Sequence, residues 1–232
     1  VGSAGGITSL ISYPALLVVG VAALPATVTN SVALVACWPG SALGSQPELR
    51  GQGSWLRRWS LLVVAGGAVG AALLLSTPAG VFGRVVPFLV GVGAVALLLQ
   101  PQLSSWQTRH PLFGNKSLLP SGLFSLSVYN GYFGAGAGVM VLTLLLVTVD
   151  QHLPKANALK NMLVGVATAV SAVAFILFGP VSWGSVPPLA LGLFAGSTVG
   201  PTVARHMPHN LLRILVGLSG LGLAVRLWIG PN

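Results

Sequence analysis

The stretch ANALKNMLVGVATAVSAVAFILF, residues 156–178, carries one charged side chain, Lys160, in an otherwise apolar run. At ~1.5 Å of rise per residue, such a helix can cross the ~30 Å hydrocarbon layer of a bilayer. The rest of the chain repeats the pattern. Apolar blocks fall at 7–21, 26–44, 59–77, 84–100, 118–131, 138–149, 186–204 and 210–229, separated by short polar punctuation. Only 6% of the 232 residues are charged, 54% are hydrophobic, and the mean hydropathy is +0.88. A soluble surface needs roughly 25% charged residues. The composition therefore predicts an all-α, polytopic membrane protein with no soluble domain.

The run at 156–178 also exposes an internal repeat, offset by about 130 residues. ATVTNSV at Ala26–Val32 lies over ANALKNM at Ala156–Met162, and AGGAVG at Ala65–Gly70 over AGSTVG at Ala195–Gly200. Pro78 lies over Pro208, and GSAGG at Gly2–Gly6 near GAGAG at Gly134–Gly138. Two homologous halves are expected: residues 1–100, lacking an N-terminal helix, and residues 118–232, joined by a cytoplasmic linker at 101–117. The loop Ser45–Trp59 holds Arg50, Arg57 and Arg58, whereas its counterpart Gly179–Ser185 holds no charge. Placing the arginines inside the cell sets the two loops on opposite sides, so the halves are expected to be inverted. Arg109, Lys116, Arg205, His206 and His209 then fall inside as well.

Inverted halves with short, glycine-broken helices are the build of many secondary transporters. The net charge of +9 comes without a basic face on a soluble fold, so nucleic acid is not expected as a partner. Only two acidic residues exist, Glu48 and Asp150, both placed in loops or at helix ends. That excludes paired-carboxylate catalysis and carboxylate-held metal centres, and no cofactor or metal is expected. The four histidines lack ligand spacing, and the lone Cys37 reads as a small apolar residue.

The candidate binding residues are those that break the apolar pattern. Lys160 shares a helix face with Asn157 and lies beside Asn161, so one arm offers a charge and two amides. A lysine at that depth is costly unless it snorkels to the interface or meets a partner. Thr27 and Asn30 take the matching places in the first half. Asn130 borders the second glycine run. The breaks at Gly5 and Gly6, and at Gly134, Gly136 and Gly138, permit backbone amides to approach a ligand. Gly66, Gly70, Gly196 and Gly200 read instead as helix-packing contacts. Arg84 and Arg213 read as helix-start anchors, and Trp55 and Trp183 as belt residues.

The chain resembles the TauE/SafE sulfite-exporter family of membrane permeases. The resemblance rests on GSAGG followed by Pro14, TNSVALVACWPGS at Thr29–Ser41, NGYFGAGAG, ANALKN, GPVSWGSVPPLALGLFAGSTVG at Gly179–Gly200, and ARHMPHNLLR at Ala204–Arg213. It implies passage of sulfite, sulfonates, sulfoacetate or related small anions across a bacterial inner membrane. The residues leave the coupling ion open between proton and sodium: the shortage of acidic residues argues against a proton carried by a carboxylate, and leaves protons borne by the substrate or sodium held by carbonyls. The chain departs from the family by starting inside the first glycine motif, and Ala4 stands where the family often has glycine. A passive anion channel and a scaffold without transport are the alternatives. The residues leave the exact anion and the direction open.

Overall fold

The computed structural model describes residues 5–39, 45–99, 102, 117–150, 152–206 and 209–229, with the side chains of 5–7, 197–206 and 209–213 left out. The fold is all-α. In chain order the helices are α1 (Gly5–Val18), α2 (Ala23–Leu34, prolonged by a 3₁₀ turn at Val35–Cys37), α3 (Gln46–Leu49), α4 (Gly53–Ser76), α5 (Ala79–Leu98), α6 (Leu118–Tyr132), α7 (Ala137–Thr148), α8 (Leu153–Phe178), α9 (Val186–His206) and α10 (His209–Ile229). Among the described residues α4, α5 and α8 are long and apolar enough to cross a membrane. The other long helices are apolar but shorter over their described parts. Large apolar side chains such as Leu61, Phe178 and Leu191 stand exposed, as lipid-facing positions should.

Helix starts differ from the apolar blocks by a few residues. α4 begins at Gly53, so Trp55, Arg57 and Arg58 ride its first turns rather than a loop. α5 begins at Ala79, which puts Arg84 in the second turn, exposed, and not at the helix start. Charged and aromatic residues at the interface continue a helix without adding to its apolar count. The linker predicted at 101–117 lies outside the described residues except for Gln102 and Ser117, and Arg109 and Lys116 fall within it. The side chains of Gly200, Arg205, His206, His209 and Arg213 are likewise not described.

Two cores hold the bundle. One gathers Leu10, Tyr13, Phe82, Leu97, Phe133 and Phe175; the other gathers Val63, Leu123, Leu145, Leu159 and Leu163. Between them runs a seam of small residues where α4 meets α6 and α8 at backbone distance. A Cβ on Gly66 would fall 2.7 Å from that of Ser127, and one on Gly67 would fall 3.0 Å from the carbonyl oxygen of Ala167. Dispersion over such close backbone is what holds helices together where lipid offers no hydrophobic drive. Gly196 of α9 behaves differently: no described atom lies within 4 Å of where its Cβ would stand. The packing role expected for it is therefore absent among the described residues.

Two helix pairs related by the sequence offset, α2 with α8 and α5 with α10, pack antiparallel. On α8, Gly179 meets Val28 of α2 and Gly165 meets Trp38, so α2 descends as α8 rises. On α10, Gly217 meets Leu98 of α5, Gly220 meets Ala94, and Trp228 stands edge-on to Phe88 with ring centroids 4.7 Å apart.

Candidate functional site

The second glycine run breaks the chain inside the bundle. α6 stops at Tyr132, and Gly134 and Gly136 take left-handed φ values of +81° and +79° before α7 starts at Ala137. Side chains rarely tolerate that geometry, which is why glycine stands at both places. The break satisfies many of its own polar groups. Gly134 N–H donates to Tyr129 O, Ala137 N–H to Gly134 O and Val139 N–H to Gly136 O. The Tyr129 hydroxyl donates to Ala135 O at 2.6 Å. Gly136 lies against Gly93 of α5, where an added Cβ would come within 2.7 Å of the Gly93 Cα. Gly138 is buried in the first turn of α7, and Gly5 and Gly6 form the first residues of α1.

α8 carries the densest polar group. Lys160 is the eighth residue of the helix and is 1% exposed. Its Nζ donates to Asn157 Oδ1 at 2.8 Å, one turn back. An ammonium has three protons to donate, and that is the one hydrogen bond it makes among the described residues. Among the described residues no carboxylate lies within ion-pair distance of it. A buried lysine in apolar surroundings costs several kcal/mol unless its charge is met. The side chain is enclosed by its neighbours rather than extended to the protein surface.

Asn157, Asn161, Gly165 and Thr168 follow at turn spacing on one side of α8. Each meets a different neighbour. Asn161 Nδ2 donates to Ser45 Oγ at 3.3 Å, which ties α3 to α8 across 116 residues of chain. Gly165 makes room for the Trp38 indole: an added Cβ would overlap its Nε1. That indole nitrogen is sealed from solvent and donates to nothing among the described residues. Thr168 accepts from Asn130 Nδ2 at 3.1 Å. Thr168 stands eight residues beyond Lys160, about 12 Å along the axis at ~1.5 Å per residue.

The first-half residues do not join this group. Asn30 Oδ1 lies 2.5 Å from Ser12 Oγ of α1, and Thr27 Oγ1 donates to Ala23 O at 3.0 Å. Beside them is Tyr13, 2% exposed, its ring edge-on to Phe133 of the break at 5.3 Å. The Tyr13 hydroxyl is turned toward Thr27 but makes no hydrogen bond of good geometry among the described residues. Because α2 runs antiparallel to α8, Val28 lies at the level of Phe175–Gly179, the far end from Lys160. The single cluster expected from sequence is thus drawn out into three levels: Asn157, Lys160 and Asn161 at one end, Asn130 with Thr168 in the middle, and Thr27, Asn30, Ser12 and Tyr13 beyond. Ser45, Trp38, Ser12 and Tyr13 escaped the sequence reading. Only Gly165, a lone glycine in a long apolar helix, could have hinted at a close approach.

Asp150 lies in the short connection before α8, outside the spanning helices. Its carboxylate accepts from the His152 backbone N–H at 2.9 Å and pairs with Lys155 at 2.9 Å. The His152 amide, and after it the Lys155 ammonium, hold its carboxyl well below the usual carboxylate range.

The profile of the sulfite exporter TauE/SafE family matches residues 1–227. A protein of Haemophilus influenzae named "Probable membrane transporter protein" is 28% identical over 219 residues, 92% of this chain and 83% of the relative. The "Probable membrane transporter protein YfcA" of Escherichia coli is 26% identical over 246 residues, 99% of this chain and 88% of the relative. One from Sinorhizobium sp, named with ORF9, is 26% identical over 234 residues, covering 99% and 87%. No solved structure matches the chain significantly.

Proposed function

The chain belongs to the sulfite exporter TauE/SafE family and is a membrane transporter, and from that premise we propose that it moves small sulfur-containing anions across a bacterial inner membrane by alternating access. Sulfite, sulfonates and sulfoacetate are the substrate class. The observation that carries this reading is Lys160: a buried ammonium with one neutral partner and no carboxylate, on a membrane-spanning helix. An anion arriving beside it would offset the cost of holding that charge in apolar surroundings. Asn157 and Asn161 orient the anion there. Asn130, Asn30 and Thr27 line its further path. The break at Gly134 and Gly136 lets two short helices meet within the bundle, with Gly138 in the first turn after it and Gly5 and Gly6 at the start of α1.

Two features support alternation over an open pore. Lys160 is enclosed rather than facing a channel. The antiparallel packing of α2 on α8 and of α5 on α10 is what inverted halves, related by an axis in the membrane plane, require of equivalent helices. A proton or sodium remains the coupling ion of the proposal.

A thermal-shift screen of purified protein against sulfite, thiosulfate, sulfate, sulfoacetate, taurine and simple carboxylates tests the reading. A ligand that binds only the folded state raises its apparent stability by mass action. A selective shift with a sulfur oxyanion or sulfonate, lost in Lys160→Ala, is the expected result. No shift with any of them in folded protein would favour the scaffold alternative, and flux without saturation would favour a channel.

A further inference from the structure

In the repeat, Asn30 of α2 stands where α8 carries Lys160, and Thr27 where it carries Asn157. α2 is thus the arm without a cation, and neither α1 nor α2 contains a lysine, arginine or histidine. What these two helices bury instead is oxygen. Ser12, Tyr13, Thr27 and Asn30 are all sealed in the bundle. The Ser12 hydroxyl has one proton but two acceptors within reach, Asn30 Oδ1 at 2.5 Å and Thr8 O at 2.9 Å. Thr27 Oγ1 donates its proton to Ala23 O, one turn back. The Tyr13 hydroxyl, turned toward Thr27, has no hydrogen-bond partner of good geometry among the described residues. The group therefore holds more oxygen lone pairs than protons to fill them, in a place where an unmet polar atom is costly. The glycine break adds to this excess. Phe133, just past the end of α6, stands edge-on to the Tyr13 ring. The carbonyls of Gly131, Tyr132 and Phe133 accept no backbone N–H among the described residues, so the negative pole of a short helix ends next to Tyr13.

Resting on the anion-transport reading above, we propose that Ser12 Oγ, Tyr13 Oη, Thr27 Oγ1 and Asn30 Oδ1 form a sodium site, and that sodium is the coupling ion. Hard cations take oxygen ligands. Magnesium and calcium call for carboxylates, and this group has none. A monovalent ion is met by neutral hydroxyls, an amide oxygen and helix-end carbonyls. The bound ion gives the first half the positive charge that Lys160 gives the second. An anion leaving Lys160 along the path past Asn130 then meets a second cation at Asn30 and Thr27. Sodium and anion move together in the same direction, and no carboxylate is needed to carry a proton.

Thermal melts of the purified protein in sodium chloride and in potassium chloride of equal concentration, with no sulfur anion present, test the site. Sodium should raise the melting temperature with saturation, and potassium should not. Thr27→Val and Tyr13→Phe each remove one oxygen and keep the shape of the side chain. Each should weaken the apparent sodium affinity about tenfold, as expected for one lost contact to a charge. Equal melts in the two salts, or a sodium response that both substitutions leave untouched, overturn the site. In proteoliposomes an inward sodium gradient should accelerate uptake of radiolabelled sulfoacetate over an equal potassium gradient. Saturable uptake that ignores sodium overturns the coupling and leaves the transport reading standing. A sodium-selective melt without uptake of any sulfur anion keeps the ion site and overturns the transport reading.

Discussion

Gly70 of α4 sits where two helices touch backbone to backbone. An added Cβ would fall 2.9 Å from Gly131 Cα and 2.9 Å from Tyr132 N, and would overlap Val128 O. Ordinary carbon contacts lie at ~3.5–4.0 Å, so Gly70→Ala must push α4 and α6 apart by several tenths of an ångström or more. None of the three atoms is the end of a side chain that could swing away. The same displacement loosens Gly66 from Ser127 and Gly131 from Gly67, which share the seam. Overpacking of a tight interface costs about 1–3 kcal/mol, and rigid backbone on both sides puts this case at the upper end. Gly196→Ala is the internal control, since its Cβ meets nothing described and alanine gains about 0.5–1 kcal/mol over glycine within a helix. The two variants should differ by about 3 kcal/mol. At ~2–4 °C per kcal/mol for a chain of this size, that separates their melting temperatures in detergent by on the order of 10 °C. Equal melting temperatures would refute the seam.

Gly165→Ala should displace the Trp38 indole and lower thermal stability by about 1–3 kcal/mol, with much of the loss recovered in the double variant with Trp38→Phe; no recovery would place the two residues apart. Tyr129→Phe leaves Ala135 O without its donor at the α6–α7 break and should cost about 1–2 kcal/mol in the same melts, where an unchanged value would deny the bond any weight. Asp150 has a lowered folded-state pKa, so it stabilises the protein above the ordinary carboxylate pKa of about 4, and that stabilisation is lost as pH falls through the lower folded value. Asp150→Asn should therefore melt lower than wild type at pH 7, by less than about 1 kcal/mol for so exposed a pair, and the gap should narrow below pH 4. A gap that widens in acid would reverse the sign of the argument.

The helices were legible because lipid enforces a simple rule: spanning segments must be predominantly apolar and their backbone groups bonded within the helix. Apolar blocks located α4, α5 and α8, and short blocks beside glycines located the break at Gly134–Gly136. Helix starts were less legible, because Arg57, Arg58 and Arg84 belong to helices by backbone but to the interface by side chain. Within the site, Lys160 and Asn157 are three residues apart, and their hydrogen bond follows from helix geometry alone. The contacts of Asn161 with Ser45 and of Gly165 with Trp38 cross more than a hundred residues and leave no local pattern. Thr27 and Asn30 match Asn157 and Lys160 in the repeat, yet antiparallel packing carries matched residues away from each other along α8.

The central claim is that Lys160 supplies the charge that a transported anion meets. Uptake of radiolabelled sulfite and sulfoacetate into proteoliposomes, wild type against Lys160→Ala, tests it most directly. Wild type should transport at least one of the two with saturation. The variant, folded by size exclusion, should lose about 1.5–3 kcal/mol of anion binding, roughly ten- to a hundredfold in apparent affinity. Uptake by Lys160→Ala at the wild-type rate and half-saturation would contradict the account.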